Sequence, residues 1–338
     1  MNRLAEAQPR QMPKTISQLR RAMPSAELFT EKARLLTFQT TGAKSNDELD
    51  VYNITAPFSL GTEHYIAGRT EKHDDGASSQ TRFYRHNQDN NTWVQDETMP
   101  VLGLEDPFVT RIDNKWVIGG VKARPKDDDS GEKNYITHIY VVENPKSIDP
   151  ATEPTIIGPP GMKDIRVLQL QNSNILVATR PQGKKGGLGK MGAAVVGKIS
   201  ELERGVLQDA PIIEGLFSDE EEEWGGANEL YELDDGTIGV LGHIARFDSD
   251  HNREYYAMTC RLDFEELTVW DEKIIASSDF WPRHKYKRPD LEKVLFPGGM
   301  IIKDRLAELY GGVGDACPAE AQDIPNPFWP ALPISRGL

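Results

Sequence analysis

A chain of 338 residues is long enough for two average domains, although repeat-built all-β folds often fill this length as one unit. With 53 acidic against 39 basic residues and a formal net charge of −14, a nucleic-acid backbone or anionic membrane is excluded as a bulk partner. Any anionic substrate must therefore be held by a local cluster of Arg, Lys and His. Cys260 and Cys317 are too few for a disulfide framework and have no metal-ligand spacing around them, so a reducing compartment and no metal cofactor are expected.

Residues 1–25, rich in Gln, Pro and Arg, read as a flexible N-terminal arm. There is no signal-like apolar run and no membrane-length window, so a soluble cytoplasmic protein is expected, with the oligomeric state open. Residues 26–41 read as an edge strand by which the N-terminal end completes the last unit of a ring, or in their first half as a short helix.

A repeated pattern follows. Leu104 to Ile112 is a strand, Asp113-Asn114 a turn, and Lys115 to Gly120 a second strand ending in small residues. The same order returns in Asp164–Leu170, Asn172-Ser173-Asn174 and Ile175–Arg180, and again in Asn228–Leu233, Asp234-Asp235-Gly236 and Thr237–His243. Looser copies run from Tyr52 to Arg69 and from Phe296 to Gly312. The markers Asn53, Asp106, Asp164 and Asn228 are spaced widely enough for four short strands per unit. An all-β, five-bladed β-propeller is expected, forming a single catalytic domain over 26–318, with a Pro- and aromatic-rich tail over 319–338.

In such a ring the starts of the first strands converge, bringing together Asn53, Glu105, Asp106, Asp164, Arg166, Asn228 and Glu229. The ends of the second strands add Arg69, Lys122, Arg124, Arg180, His243 and Arg246. Glycosidic chemistry needs an acid to protonate the departing oxygen, and an inverting hydrolase also needs a base to activate water. Asp106 with Asp164 or Glu229 meets that requirement. If phosphate is the nucleophile, one acid suffices, provided cations position the anion. A structural role for Asp106, bonding nearby backbone N–H groups before Pro107, stands beside these readings.

The Gly183–Gly192 loop has glycines and lysines suited to an anion, but it also reads as a plain hairpin. Trp281–Arg288 is a basic, aromatic island that fits a phosphate or sugar-nucleotide rim, or a solvated loop. Asp127-Asp128-Asp129 and Ser218–Glu223 read as solvated loops. Asp248–Glu254 has alternating oxygen ligands without the glycine and distal glutamate of a calcium loop.

Glu105-Asp106-Pro107 resembles the Glu-Asp-Pro motif of the β-mannoside phosphorylases of glycoside hydrolase family 130, which are five-bladed propellers. Lys163–Arg166, Ala178–Pro181, Trp224–Glu229, Gly239–Ala245, Phe296–Gly299 and Tyr310–Ala316 resemble the related β-1,2-mannosyltransferase/phosphorylase group, glycosyltransferase family 108. The resemblance runs from about Asp50 to Ala316. It implies an inverting enzyme that exchanges a mannosyl unit between a β-1,2-mannan end and phosphate, or builds such chains from mannose 1-phosphate or GDP-mannose. Asp106 takes the acid role by motif match, its proton passing through a sugar hydroxyl. Asn53, Glu105, Asp164, Asn228, Glu229 and Asp315 are expected to bind the sugar, and Arg69, Arg166, Arg180 and His243 the phosphate. Phe108 departs from the phosphorylase motif, which has Arg there, and Arg166 is the expected replacement. An inverting hydrolase and a non-catalytic glycan-binding propeller are the alternatives.

Overall fold

The computed structural model describes residues 12–41, 49–73, 75–125 and 133–334. Residues 1–11 of the expected arm, the Asp127-Asp128-Asp129 run and the Arg124 side chain lie outside the described residues. The described strands form five sheets arranged as a β-propeller, four of them with four or more strands and the third, in chain order, with three.

The first sheet runs outward from Leu49–Tyr52 through Glu63–Lys72, Asp75–Asn87 and Thr92–Gln95 to Phe38–Gln39, with Phe58–Leu60 also paired to Glu63–Lys72. The second is Glu105–Ile112, Lys115–Pro125, Lys133–Val142 and Ile156–Ile157. The third is Arg166–Gln169, Ile175–Thr179 and Gly192–Val196. The fourth is Trp224–Glu232, Ile238–Phe247, Arg253–Asp263 and Thr268–Ser277. The fifth is Leu295–Lys303, Leu306–Val313 and Cys317–Pro325, closed on its outer edge by Ala33–Leu35.

Hairpins form where turn chemistry calls for them. Asp113 and Asn114 both take positive φ, 50° and 62°, which matches the two-residue turn that suits the twist of antiparallel strands. Gly236 adopts φ 82° at the Asp-Gly turn, and the Asp235 carboxylate accepts from the Thr237 N–H at 3.1 Å.

Between the sheets lie five apolar clusters, each joining two neighbours. Phe83 and Phe58 of the first meet Trp116 and Ile118 of the second, and Ile139 of the second meets Val177 of the third. Leu176 meets Val240, and Leu241 meets Leu309. Tyr310 of the fifth sheet packs with Ile66 and Tyr84 of the first, so the ring closes. Each aliphatic side chain enclosed there contributes about 1.5–3 kcal/mol relative to exposure.

Closure depends on the N-terminal end. Ala33–Leu35 pairs antiparallel with Cys317–Pro325, while Phe38–Gln39 crosses to the outer edge of the first sheet, so residues 33–39 stitch the last sheet to the first. The expected edge strand is confined to this stretch, because Ala26–Phe29 is a short 3-10 helix.

Two expected boundaries move. Position 318 falls inside the third strand of the fifth sheet, so the chain leaves the sheet only after Pro325. Residues 12–25 are docked rather than loose: Ile16 and Leu19 are buried against the fourth sheet, and the Ile16 N–H donates to Glu223 at 2.6 Å. Glu223 is accordingly a buried clamp, although its run reads as solvated; burial raises its pKa.

Candidate active site

The side chains of the site are aimed by irregularities at strand ends and turns around the axis. Asn53, Asp106, Asp164 and Asp315 all adopt the left-handed region, with φ of 47°, 48°, 58° and 50°. Asn and Asp tolerate this conformation better than other side chains. The ladder also slips between Glu105 and Phe108, between Ala227 and Glu229, and between Pro297 and Gly299. Such bulges break strict alternation and re-aim a side chain, here toward the axis. At Gly298 an added Cβ would lie 1.8 Å from the Ile54 carbonyl oxygen, so only glycine lets these backbones meet.

Asp106 is central. Its Oδ1 accepts from Asn53 Nδ2 at 2.8 Å and from Arg69 at 3.2 Å, and its Oδ2 has no hydrogen-bond partner among the described residues. Its charge acts on Arg69, Tyr135, Arg166, His243 and Asp315, one residue from each sheet or its following turn. Asp106 therefore sits near the axis.

Arg69 is surrounded by carboxylates. Besides Asp106 it lies 3.1 Å from Glu71 and 3.4 Å from Glu105, with its guanidinium over the Tyr52 ring. Burial works to lower the Arg69 pKa, but Tyr52, Asp106, Glu105 and Glu71 outweigh it and hold it well above the usual range. Expected as a phosphate contact, Arg69 is committed to these acids. Asp315 joins the same group: burial raises its pKa, Asp106 adds to the rise, and Arg69 and Lys287 oppose it.

Across the funnel lies a cationic wall. Arg180 is 1 % exposed, donating to the Gly225 carbonyl at 2.6 Å and to Asp164 at 3.1 Å. Glycines give it room, since a Cβ at Gly226 would lie 2.5 Å from its Cδ. Arg166 donates to the Asn228 carbonyl at 2.8 Å and stacks over Phe108 at 4.8 Å. Phe108, where the phosphorylase motif has Arg, thus supplies the face on which Arg166 rests. His243 Nδ1 is 2.8 Å from Asn228 Oδ1, and its ring stacks on Tyr255. Burial, then Arg180, Lys163 and Arg166, keep its pKa well below the usual range, so the ring is neutral.

The two carboxylates expected as hydrolytic bases each have one oxygen engaged. Asp164 is paired with Arg180, with Arg166 at 3.9 Å. Glu229 accepts from the Tyr231 hydroxyl and from the Met300 N–H at 2.7 Å. It faces an axial cavity of about 340 Å³, shared with Arg166, Asn228, Phe108 and Met300, and burial raises its pKa to about 7.

Tyr52, Glu71, Tyr135, Lys163 and Lys287 belong to the site without having been assigned a role from the sequence. Lys163 stands over the Tyr135 ring at 5.0 Å. Lys287 pairs with Glu71, and Lys285 with Asp50 at 2.5 Å, so the basic island, largely exposed, is tied to the first sheet at two points. Two of the three lysines of the Gly183–Gly192 loop serve the fold: Lys185 donates to the Ala210 carbonyl at 2.7 Å and Lys190 to Asp219 at 2.8 Å. In Asp248–Glu254, Asp248 accepts from the backbone N–H groups of Asp250 and Asn252, both at 2.9 Å. Arg246 is turned outward onto Glu254 at 2.9 Å.

A family model described as a protein of unknown function, DUF1861, matches residues 25–329. The chain belongs to the DUF1861 family. No curated protein matches this DUF1861 chain by sequence. Among solved structures it is similar to a mannose phosphorylase from Leishmania mexicana in complex with phosphate ion, with 31% identity and a TM-score of 0.76 over 90% of this chain and 92% of that one. It is also similar to a GDP-Man-dependent mannosyltransferase from the same organism, with 26% identity and a TM-score of 0.77 over 94% and 96%. A β-1,2-mannobiose phosphorylase from Listeria innocua, at 14% identity and a TM-score of 0.55 over 81% and 91%, shares the fold. No helix among the described residues is long and apolar enough to cross a membrane.

Proposed function

We propose that this protein is an inverting mannosyl-transferring enzyme. It exchanges a mannosyl unit between the non-reducing end of a β-1,2-mannan and phosphate, or takes that unit from GDP-mannose. The observation that carries this reading is the charge gathered across from Asp106: Arg166, Arg180 and Lys163 surround His243 there, and of the expected bases Asp164 is paired with Arg180 while Glu229 is held by Tyr231 and the Met300 N–H. A hydrolase would need one of those two to activate water. An anionic nucleophile needs only positioning and charge screening, which the wall of Arg166, Arg180 and Lys163 is suited to give. The likeness to the Leishmania phosphorylase and transferase supports the same reading.

In phosphorolysis a phosphate oxygen attacks the anomeric carbon from the face opposite the leaving group. The glycosidic C–O bond breaks, and its electron pair stays on oxygen. That oxygen takes a proton originating on Asp106, directly or through a sugar hydroxyl, and mannose 1-phosphate forms with inversion. In synthesis the Asp106 carboxylate accepts the proton of the incoming hydroxyl as phosphate or GDP departs. We read Asn53 and Asn228 as sugar contacts, Arg166 and Lys163 as phosphate contacts with the buried Arg180 and His243 behind them, and the three-stranded sheet as a fifth blade. Neither phosphate nor GDP-mannose is a resident cofactor; both are co-substrates.

Incubation with β-1,2-mannobiose and phosphate is expected to release mannose 1-phosphate, with GDP-mannose tested as donor in parallel. No mannose 1-phosphate, no GDP and no chain growth would overturn the proposal, and mannose released without phosphate consumption would favour the hydrolase.

A further inference from the structure

The basic island contains a side chain placed to act on the acid from a distance. Glu71 is fully buried, and its two oxygens are divided. Oε1 accepts from the Tyr52 hydroxyl at 2.6 Å and from Lys287, whereas Oε2 accepts from Arg69 Nε at 3.3 Å and from a terminal nitrogen at 3.1 Å. The other terminal nitrogen of Arg69 is thereby turned onto Asp106 Oδ1.

The charges explain why a second cation is required. Arg69 faces three carboxylates at once, Glu71, Glu105 and Asp106. A buried carboxylate is stable only when its charge is paired and its remaining lone pairs are hydrogen-bonded. With Lys287 on Oε1, Glu71 is held below the usual carboxylate range by Arg69, Lys287 and Tyr52 despite its burial, and Arg69 need not turn further toward it. Lys287 is fixed in turn by its backbone, whose N–H donates to the Gly314 carbonyl at 2.9 Å in the turn that carries Asp315.

We infer that Lys287, acting through Glu71, is a positioning residue that holds Arg69 against Asp106 for mannosyl transfer. This rests on the function proposed above. The island is then a strap from the fourth-to-fifth-sheet connection that sets the geometry of an acid on the second sheet. Lys285 is the internal control, since it ties the same strap to Asp50 without touching Glu71.

The test compares Lys287→Met, Lys287→Arg and Lys285→Met in steady-state turnover of β-1,2-mannobiose and phosphate, with a crystal structure of Lys287→Met. Lys287→Met is expected to lower kcat about tenfold or more with KM for phosphate little changed, because a misplaced acid affects the chemical step. Lys287→Arg is expected to restore most of kcat, Lys285→Met to stay near wild type, and the crystal structure to show Arg69 rotated off Asp106. Equal losses in Lys287→Met and Lys285→Met, or Arg69 unmoved in the crystal, overturn the inference. A wild-type protein inactive on mannosides would refute the proposed function, and the position of Arg69 in the variant would still decide the role of Lys287. Should Lys287→Met not fold, Lys287→Gln is read by the same two criteria.

Discussion

Replacing Arg180 by Met tests whether the cationic wall is a structural element as well as a chemical one. The substitution leaves Asp164 as a buried carboxylate whose remaining cation, Arg166, is 3.9 Å away. Removing one partner of a buried ion pair costs about 3–5 kcal/mol. The Gly225 carbonyl also loses its 2.6 Å donor, adding about 1 kcal/mol. Leu188 is spared, because its carbonyl keeps Gln182 as a donor at 2.8 Å. The expected loss is therefore about 5 kcal/mol, read by urea denaturation at 25 °C from tryptophan fluorescence. Adding Asp164→Asn, which keeps a side chain tolerant of positive φ, removes the stranded charge. The double variant should be about 2 kcal/mol more stable than the sum of the single effects. A loss below about 1.5 kcal/mol for Arg180→Met, or strict additivity, would refute the claim that this pair organises the wall.

Asp106→Asn keeps an acceptor for Asn53 and Arg69 but removes the exchangeable proton, so kcat should fall about 10²–10⁴-fold with the circular dichroism spectrum unchanged. Phe108→Leu retains apolar volume and removes the ring face under Arg166. KM for phosphate should rise about threefold, the equivalent of a cation–π contact of under 1 kcal/mol, in initial-rate assays. Glu229→Gln should change the pH dependence of stability. Burial raises the Glu229 pKa to about 7, so the folded chain holds a proton that the unfolded chain releases near pH 4.5. The resulting penalty grows as pH rises through this interval and is complete above about pH 7. Wild type should thus lose about 2–3 kcal/mol relative to Glu229→Gln between pH 5 and pH 8. An unchanged difference between the two at both pH values would rule out burial as the cause.

Much of the site was legible because its backbone restricts residue choice. Asn53, Asp106 and Asp164 recur once per unit, and the structure gives all three positive φ beside an inner strand: Asn53 just after Leu49–Tyr52, Asp106 at the second position of Glu105–Ile112 and Asp164 just before Arg166–Gln169. Asn and Asp recur there because they accept that conformation and offer polar side chains to the axis. The partners of these residues were not legible. Arg69 could be assigned to the funnel from its unit, but its commitment to Glu71, Glu105 and Asp106 depends on how two sheets sit beside each other. Glu223 reads as part of an acidic run, and only the docking of Ile16 reveals it as a buried acceptor. Lys287 reads as one charge of an exposed island, yet its ammonium lies on a fully buried carboxylate more than two hundred positions away in sequence.

By itself the sequence determined that the chain is a ring of short strands and that one acid opens the second unit. Turn residues, period-2 strands and left-handed Asx positions are local requirements, written where they act. Tertiary structure alone decided which charges meet. Closure of the ring by residues 33–39 fixes the fifth sheet against the first and brings Lys287, Asp315 and Arg69 around Asp106. The energies that distinguish a proton donor from an ion-pair partner depend on burial and on separations of a few ångströms, and these are set by packing between distant strands rather than by spacing along the chain.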